Sequence, residues 1–369
     1  MSSTDTDIAI LGGGCAGLSI AVRLAAAGRN IRIIEPRKTY TDDRAWSFWR
    51  TRPDPFEDCV RASWTKWDVT GPGGLVQRGS DTLRYQSVAA GAFYDKALSL
   101  IADKKAATLS LGTTAGSISK VAQGWQIDTS DGGFRANHVI DARTAQTKPT
   151  YGQFFLGREI QTERPVFDPD RVHLMAFRKA RSSGVDFVYT LPYARDRALV
   201  EVTSFAPTNP GHDVFAAWLD FEIDILNPGQ VTVLRQEEGA LPMQTGFAVP
   251  HQGGVVNMGL GGGAARPSTG YAFARIQAQA DQVAQALLAG QPPRPQLDRA
   301  FTTFMDRVFL QVIQTMPDRG PALFEGLFRK ATPDRLERFL SGSVHPVDRL
   351  SVMTSLPTLP FLRAAMTRS

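Results

Sequence analysis

The 369-residue sequence contains little cysteine, no long apolar run and no dense basic tract. Two cysteines, Cys15 and Cys59, are too few for a disulfide framework or a zinc site, so we expect free thiols in a reducing cytosol. The longest uncharged stretch, residues 239–265, is interrupted by proline and glycine, which excludes a spanning helix there. The five histidines show no metal-ligand spacing, so we expect no metal.

The composition is that of an ordinary packed globule, with 43% hydrophobic and 21% charged residues. The formal net charge of +5 comes from scattered residues, which argues against a nucleic-acid partner but is compatible with anionic membrane surfaces. The polar N-terminal residues contain no secretory signal. We therefore expect a cytoplasmic protein that is soluble or associated peripherally with a membrane.

The beginning of the chain has the pattern of a strand–helix–strand unit. Residues 8–11 form a short β-branched run that is typical of a buried strand, and a glycine-rich loop follows at residues 12–17. Small and aliphatic residues at 18–27 predict a helix, and the apolar residues 31–35 predict a second, parallel strand. In this context the glycine-rich loop is a strong indication of dinucleotide binding.

The glycines of this loop have separate physical roles. Gly12 is expected to make the tight turn, Gly14 to let a pyrophosphate approach the backbone, and Gly17 to let helix and strand pack closely. The helix N-terminus would then face the phosphates. Glu35 ends the second strand, 18 residues after Gly17, where it can accept hydrogen bonds from an adenosine ribose.

The middle of the chain is expected to form a mostly antiparallel sheet. Strand-like segments alternate with turn signals, and a helix is expected near residues 214–225. The predicted strands span residues 154–160, 172–177, 187–191 and 198–205. Before them, residues 126–129 and 134–139 read as a hairpin around Asp131, Gly132 and Gly133. A sheet of this kind can leave one face free to line a pocket.

A second glycine-rich region, with Gly259, Gly261, Thr269 and Gly270, precedes a predicted helix at residues 271–288. Apolar residues at helical spacing, split by prolines, predict a helical C-terminal region. The fold class expected is α/β: a Rossmann-type FAD-binding domain of the flavin monooxygenase-like kind, an antiparallel-sheet substrate domain and a C-terminal helical region. The expected domain limits are 1–150 with 245–290, then 151–244, then 296–369.

Ordered segments along nearly the whole chain resemble the bacterial lycopene cyclase family of flavoproteins. Each segment is short and is not decisive alone. The resemblance therefore rests on the order and spacing of all the segments together. They are residues 7–14, 46–48, 83–85, 139–143, 155–159, 187–192, 199–203, 239–243, 267–271, 305–308 and 356–365.

The resemblance implies a reaction and its cofactors. Linear lycopene would be cyclised to γ-carotene and then β-carotene: a proton adds to the terminal double bond, the cation closes the ring, and a second proton is lost. The reaction is redox-neutral, yet the family uses reduced FAD, with NADPH or NADH as reductant. The first loop and Glu35 would hold the ADP half, and Gly259, Gly261, Thr269 and Gly270 the flavin end. The partners implied are lycopene and a membrane surface.

Glu201 is the expected catalytic residue, because it matches the family's glutamate. Strand alternation places Leu199, Glu201 and Thr203 on one face, where partly apolar surroundings would raise the pKa of the carboxyl. A protonated Glu201 could donate to the alkene, or an ionised one could stabilise the cation. Relatives usually carry a second acid where this chain has Val202, and often one at the position of Ala176.

Four further residues are candidates for the substrate pocket. Trp46, Phe48 and Tyr189 offer aromatic faces that can stabilise a carbocation, with core packing as the alternative for the first two. Glu159 is the next acidic candidate after Glu201.

Other functions are compatible with the same layout. A flavin-dependent monooxygenase or a prenyl reductase would consume NAD(P)H with each product, and a flavin- and carotenoid-binding protein would do no chemistry. Apolar residues near the C-terminus, with Arg349, Arg363 and Arg368 nearby, are expected to form either a membrane-docking surface or a core-packed helix.

Overall fold

A computed structural model of the chain describes residues 5–104, 106–143, 149–179, 183–248, 254–295 and 298–366. Arg368 lies outside these residues. The described part contains seventeen strands and nine α-helices. The strands are β1 (Thr6–Leu11), β2 (Ile31–Glu35), β3 (Ala45–Arg50), β4 (Val60–Trp64), β5 (Lys66–Gly71), β6 (Gly74–Gly79), β7 (Arg84–Ala89), β8 (Ala107–Leu111), β9 (Ala115–Lys120), β10 (Trp125–Thr129), β11 (Phe134–Asp141), β12 (Gly152–Thr162), β13 (Arg171–Phe177), β14 (Val185–Ala194), β15 (Arg197–Ala206), β16 (Val231–Pro242) and β17 (Val255–Asn257). The helices are α1 (Cys15–Ala26), α2 (Ala90–Ala102), α3 (His212–Asp224), α4 (Phe273–Leu288), α5 (Ala300–Thr315), α6 (Gly320–Lys330), α7 (Pro333–Leu340), α8 (Pro346–Ser355) and α9 (Thr358–Met366).

The first sheet is built around the predicted strand–helix–strand unit. Its order is β8-β2-β1-β11-β10-β9, and β17 pairs with the second half of β11. Strands β8, β2, β1, β11 and β17 run parallel, whereas β9 and β10 add an antiparallel edge. The hairpin of β10 and β11 is confirmed, and β11 continues to Asp141 as a single strand. Helices α1 and α4 pack on this sheet.

The second sheet is a seven-stranded one with the order β16-β12-β15-β14-β13-β5-β6. Its central strands β12 to β15 confirm the predicted antiparallel set. Two features were not predicted: the long edge strand β16, and the hairpin of β5 and β6, which joins this sheet through a parallel pairing with β13. The proposed limits of the domains stay a prediction, and sheet membership crosses the limit at residue 150.

The second sheet has two differently covered faces. One face packs on α3, with Val200, Val202 and Trp218 among the buried residues. The other face, together with the C-terminal helices α5 to α9, encloses a second core that includes Phe205 and Phe324. The small sheet of β3, β7 and β4 connects the hydrophobic cores of the two larger sheets. For example, Phe48 of β3 is buried in the core of the first sheet, and Trp49 of the same strand in the core of the second.

The C-terminal region is helical from α5 onward, as predicted. Each helix from α6 to α8 carries a proline in its first turn, where the missing N–H costs no hydrogen bond. Within the described residues, none of the helices combines the length and apolar character needed to cross a bilayer.

Candidate functional site

A single cavity of about 710 Å³ connects the first glycine-rich loop with the free face of the second sheet. Gly12 and Gly14 line one end, and Phe324 and Phe328 of α6 line the other. Between them the wall includes Glu201 of β15. The volume is in the upper part of the range for small-molecule sites, and residues of all three sheets line the cavity.

In the first glycine-rich loop, the space around the α-carbon differs from one glycine to the next. A Cβ on Gly17 would lie 1.8 Å from the carbonyl oxygen of Gly12, so only glycine fits this helix–strand contact. Gly12 has φ +95°, a conformation that favours glycine, and it packs on the backbone of Ala142. A Cβ on Gly14 would meet only the Arg37 guanidinium, at 3.8 Å. Gly14 therefore borders open space and not protein.

This open space is suited to an anion. Gly14 is the N-cap of α1, and no side chain caps the helix, so its first amides are left for a ligand. Cys15 and Ala16 of the first turn line the cavity, as do Arg37 and Arg44. Helix N-terminus and guanidinium groups together provide donors and positive charge for a pyrophosphate.

Glu35 lies at the end of β2 and lines the same part of the cavity. Its Oε2 accepts the Gly13 amide N–H at 2.6 Å, and its Oε1 accepts the backbone and Nε donors of Arg37 at 2.9 and 2.8 Å. Burial opposes ionisation, but the hydrogen bonds and charge of Arg37 outweigh it and lower the pKa of Glu35. The ionised carboxylate keeps further acceptor capacity that a ribose hydroxyl can use.

The late glycine-rich region reaches the cavity at most of the predicted positions. Gly259, Thr269 and Gly270 line it, whereas Gly261 is not among the lining residues. The Gly259 N–H donates to Gln279 Oε1 at 2.9 Å, so this amide is already used within the protein. Helix α4 begins just after this region at Phe273, which also lines the cavity.

A buried ion pair holds the late region in place. Arg266 donates from Nη2 to Asp306 of α5 at 2.9 Å, and both side chains are almost fully buried. Asp306 also accepts a hydrogen bond from the Ser268 hydroxyl at 2.8 Å. The loop before Thr269 is thereby tied to the C-terminal helices, which the sequence pattern did not indicate.

The free face of the second sheet carries two carboxyl groups in one row. In the strand register, Tyr189 of β14 pairs with Glu201 of β15, Glu201 pairs with Gly157 of β12, and Gly157 pairs with Glu237 of β16. Directly paired residues share a face, so all four point toward the cavity side. Because Gly157 has no side chain, nothing from β12 separates the two glutamates.

Glu201 is in surroundings that favour its protonated form. It is 6% exposed, and among the described residues its side chain accepts one hydrogen bond, from the Thr203 hydroxyl to Oε1 at 2.7 Å. Burial and the charge of Glu237 raise the pKa of Glu201 to about 8, against smaller lowering effects of Thr203 and Arg235. A carboxyl of this kind holds its proton at neutral pH.

Glu237 has stronger partners than Glu201, although burial raises its pKa as well. Its Oε2 forms an ion pair with Arg235 Nη1 and accepts the Ala45 backbone N–H at 2.9 Å. A guanidinium and an amide donor both favour a carboxylate. The two acids of the row therefore differ in the form that their surroundings stabilise.

Glu159 lies on the same face of β12 but is not among the cavity-lining residues. It forms ion pairs with Arg61, Arg197 and Arg235. Burial raises its pKa, but the hydrogen bonds and charges of Arg61 and Arg197 prevail and leave the pKa lowered. The Glu159 carboxylate therefore holds together arginines from three different strands.

The three aromatic candidates are placed differently. Trp46 and Tyr189 line the cavity, and the Tyr189 hydroxyl lies 2.8 Å from that of Tyr85. Phe48 does not line it: the ring is buried and stacks on Phe273 with centroids 4.8 Å apart. Burial raises the pKa of the Tyr189 hydroxyl well above its ordinary value, so the phenol stays neutral.

The departures from the family pattern at Val202 and Ala176 lie away from the cavity. Both residues are buried in the core between the second sheet and α3. Alternation along β15 turns residue 202 to the face opposite Glu201. In this chain an acid at either position would point into an apolar core.

The sequence patterns did not indicate three residues of the site: Glu237, Gly157, and Tyr85, whose hydroxyl lies next to that of Tyr189. The acidic pair at residues 237–238 just before the matching segment 239–243 was a usable signal. However, residues 235–238 in the middle of β16 are all polar, and the segment was not predicted as a strand, so neither the face nor the register of Glu237 could be assigned.

The fold defines the class of protein: an α/β protein with the architecture of flavin-dependent monooxygenases and related reductases. A geranylgeranyl bacteriochlorophyll reductase-like protein from Thermoplasma acidophilum superposes with a TM-score of 0.62 at 16% identity, over 97% of this chain and 95% of that one. The flavin-dependent monooxygenase PieE, in complex with FAD and substrate, superposes with a TM-score of 0.59 at 14% identity, over 96% and 72%.

The sequence comparisons are more specific. The family described as lycopene cyclase protein matches residues 7–366, and the chain belongs to this family. A lycopene beta-cyclase from Paracoccus sp. (strain N81106 / MBIC 01143) is 28% identical over 96% of this chain and 95% of its own length.

Proposed function

We propose that the protein is a lycopene beta-cyclase that converts lycopene to γ-carotene and β-carotene by proton-initiated, redox-neutral ring closure. The proposal is carried by one observation: the buried Glu201 carboxyl, whose pKa is raised by burial, faces the same cavity that begins at the first glycine-rich loop. Family membership and the likeness to a lycopene beta-cyclase support the choice of substrate.

FAD in its reduced form is the cofactor we propose, with NADPH or NADH as reductant. The open space at Gly14, the uncapped start of α1 and the ionised Glu35 suit the ADP half. Thr269 and Gly270 lie where the late region reaches the cavity and are proposed for the flavin end. When bound, reduced FAD supplies negative charge near the developing cation.

The protein's own groups account for the proton steps. Glu201 donates its proton to the terminal double bond, the resulting cation is attacked by a neighbouring double bond, and the carboxylate then removes a ring proton. The proton count is restored at the end, so no net acid or reductant is consumed. The aromatic faces of Trp46 and Tyr189 in the cavity wall stabilise the positive charge of the carbocation. A carboxylate in the same place could instead react with the carbocation and form an ester.

Anaerobic incubation with lycopene and reduced FAD tests this function against its alternatives. A cyclase forms cyclic product without air and with no net consumption of NAD(P)H, whereas a prenyl reductase consumes one equivalent for each double bond that it reduces. A monooxygenase forms product, with one equivalent of NAD(P)H, only after O2 is admitted. A binding protein yields no product. Glu201→Gln should keep the flavin and lose most cyclisation, because an amide cannot donate this proton. Wild-type turnover in that variant would move the catalytic role elsewhere.

We also propose that the C-terminal helices dock the protein on a membrane surface, since lycopene is insoluble in water. The outer faces of α8 and α9 expose Leu350, Leu359 and Met366, which are 59%, 69% and 80% exposed. Other residues of the same helices pack inward: Phe361, for example, contacts Phe309. Phe309 of α5 in turn packs on Phe324 of α6, which lines the cavity, so docking would bring the cavity close to the lipid.

A further inference from the structure

The two carboxyl groups of the row Tyr189–Glu201–Gly157–Glu237 have unequal partners. Glu237 has an arginine and a backbone amide at one carboxylate oxygen, whereas Glu201 has only a hydroxyl. Both line the cavity and both are more than nine-tenths buried. Two buried acids with such different environments are expected to divide into one ionised and one protonated member.

The glycine between them is what allows the two acids to interact. A Cβ on Gly157 would lie 3.3 Å from Glu201 Cβ and 3.2 Å from Leu199 Cδ1, so a side chain there would crowd Glu201. With glycine at this position, the space above β12 is left to the two glutamate side chains. Low polarity around them weakens screening and makes a negative charge on one member unfavourable for ionisation of the other.

The charged and titratable groups around Glu201 come from each packed strand. Tyr189 faces it from β14, Thr203 from its own strand β15, and Arg235 and Glu237 from β16. Arg44 acts on Glu237 and not directly on Glu201. Burial has the largest effect on the pKa of Glu201, and Glu237 and Arg235 are the charges that add to it and oppose it, since Tyr189 is neutral and Thr203 is uncharged.

We propose that Glu237 is a positioning residue that keeps Glu201 protonated: ion-paired to Arg235 and bonded to the Ala45 amide, it presents a fixed negative charge across Gly157. This inference rests on the proposed role of Glu201 as proton donor. It also assigns the second acid of the site to β16, which is separated from β15 by β12, whereas the position directly after Glu201 is occupied by Val202 and faces the α3 core.

The test compares Glu237→Gln with Thr203→Val in the FAD-loaded protein. The glutamine oxygen can still accept the Ala45 N–H, so Glu237→Gln removes the charge while keeping the link to β3. We expect the alkaline limb of cyclisation to move to lower pH by on the order of one unit. Thr203→Val removes a hydrogen bond to the Glu201 carboxylate and should move the limb in the opposite direction.

Infrared difference spectroscopy gives a readout that does not depend on turnover. A carboxylic-acid C=O band, absent in Glu201→Gln, should be present at neutral pH in the wild type and should titrate at lower pH in Glu237→Gln. Suppose that the C=O band is present in the wild type and titrates at lower pH in Glu237→Gln, but the wild type forms no cyclic product. The proposed function then fails, and the inference about Glu237 stands.

Two results would overturn the inference. The first is an unchanged pH limb and an unchanged C=O titration in Glu237→Gln, with losses appearing only in Glu237→Ala; Glu237 would then serve merely to anchor β3. The second is a C=O band that Glu237→Gln, and not Glu201→Gln, removes, which would assign the proton to the other member of the pair.

Discussion

The raised pKa of Glu201 has a consequence for stability that can be measured without substrate. A buried acid with a folded-state pKa of about 8, against an ordinary value of 4.5, binds its proton more tightly in the folded than in the unfolded chain. Stability therefore falls as the pH rises through this interval, because deprotonation favours the unfolded chain. Glu201→Gln cannot ionise and loses this component of the pH dependence.

The magnitude follows from the width of the interval. At about 1.4 kcal/mol per unit of pKa, the wild type should lose about 3 kcal/mol relative to Glu201→Gln between pH 5 and pH 8. With an unfolding entropy of roughly 0.8 kcal/mol per kelvin for a chain of this length, that corresponds to about 4 °C in Tm. Any hydrogen bond that the amide gains or lacks is independent of pH in this range and cancels in the comparison.

Calorimetry of both proteins at several pH values, at one scan rate and with the same flavin content, gives the measurement. We expect the Tm of Glu201→Gln minus that of the wild type to increase steadily from pH 5 to pH 8. A difference that stays constant over this range would refute the reasoning, since it would mean that Glu201 ionises normally in the folded protein. Thr203→Val serves as a matched control that keeps the carboxyl and should steepen the loss.

Three further outcomes are expected. Gly14→Val should abolish FAD retention, measured by flavin absorbance, while its Tm stays close to that of the flavin-free wild type; normal flavin content in this variant would contradict the prediction. Gly17→Ala should lower the Tm even of the flavin-free protein, because its Cβ would lie 1.8 Å from a carbonyl oxygen. Arg266→Met should cost about 3–5 kcal/mol of stability by leaving the buried Asp306 without its cation, so a loss below about 1 kcal/mol by calorimetry would count against a buried ion pair. Truncation after Ser355 should weaken sedimentation with anionic vesicles more than it lowers flavin content, and full-length protein that stays in the supernatant at low salt would disprove docking.

The dinucleotide loop and the elements around it could be predicted from the sequence because their signals are local. An apolar run, a spaced set of glycines and a helical pattern within about 35 residues of chain define the loop without knowledge of anything distant. Gly17 is an example: the helix–strand contact that excludes a side chain is made with Gly12, five residues earlier. The predicted strands β12 to β15 are local in the same sense.

Which side chains line the cavity was harder to predict, because the direction of a side chain depends on packing between segments that are distant in the sequence. Trp46 and Phe48 lie on the same strand two residues apart, yet only Trp46 lines the cavity, while Phe48 stacks on Phe273. Glu159 shares a face with Glu201, but three arginines from other strands occupy it.

The first glycine-rich loop could be identified from a pattern within a short stretch of chain, and the fold class from the order of such stretches along the chain. Glu201 was selected as the leading acid through the family resemblance, and its catalytic role stays a prediction. The position of Glu237 in the same row as Glu201, by contrast, depends on the pairing of distant strands. Alternation tells which residues of one strand share a face, but the register between strands depends on how whole segments pair. Glu201 and Glu237 meet across Gly157 because β15 and β16 both pair with β12, and no local pattern contains that fact.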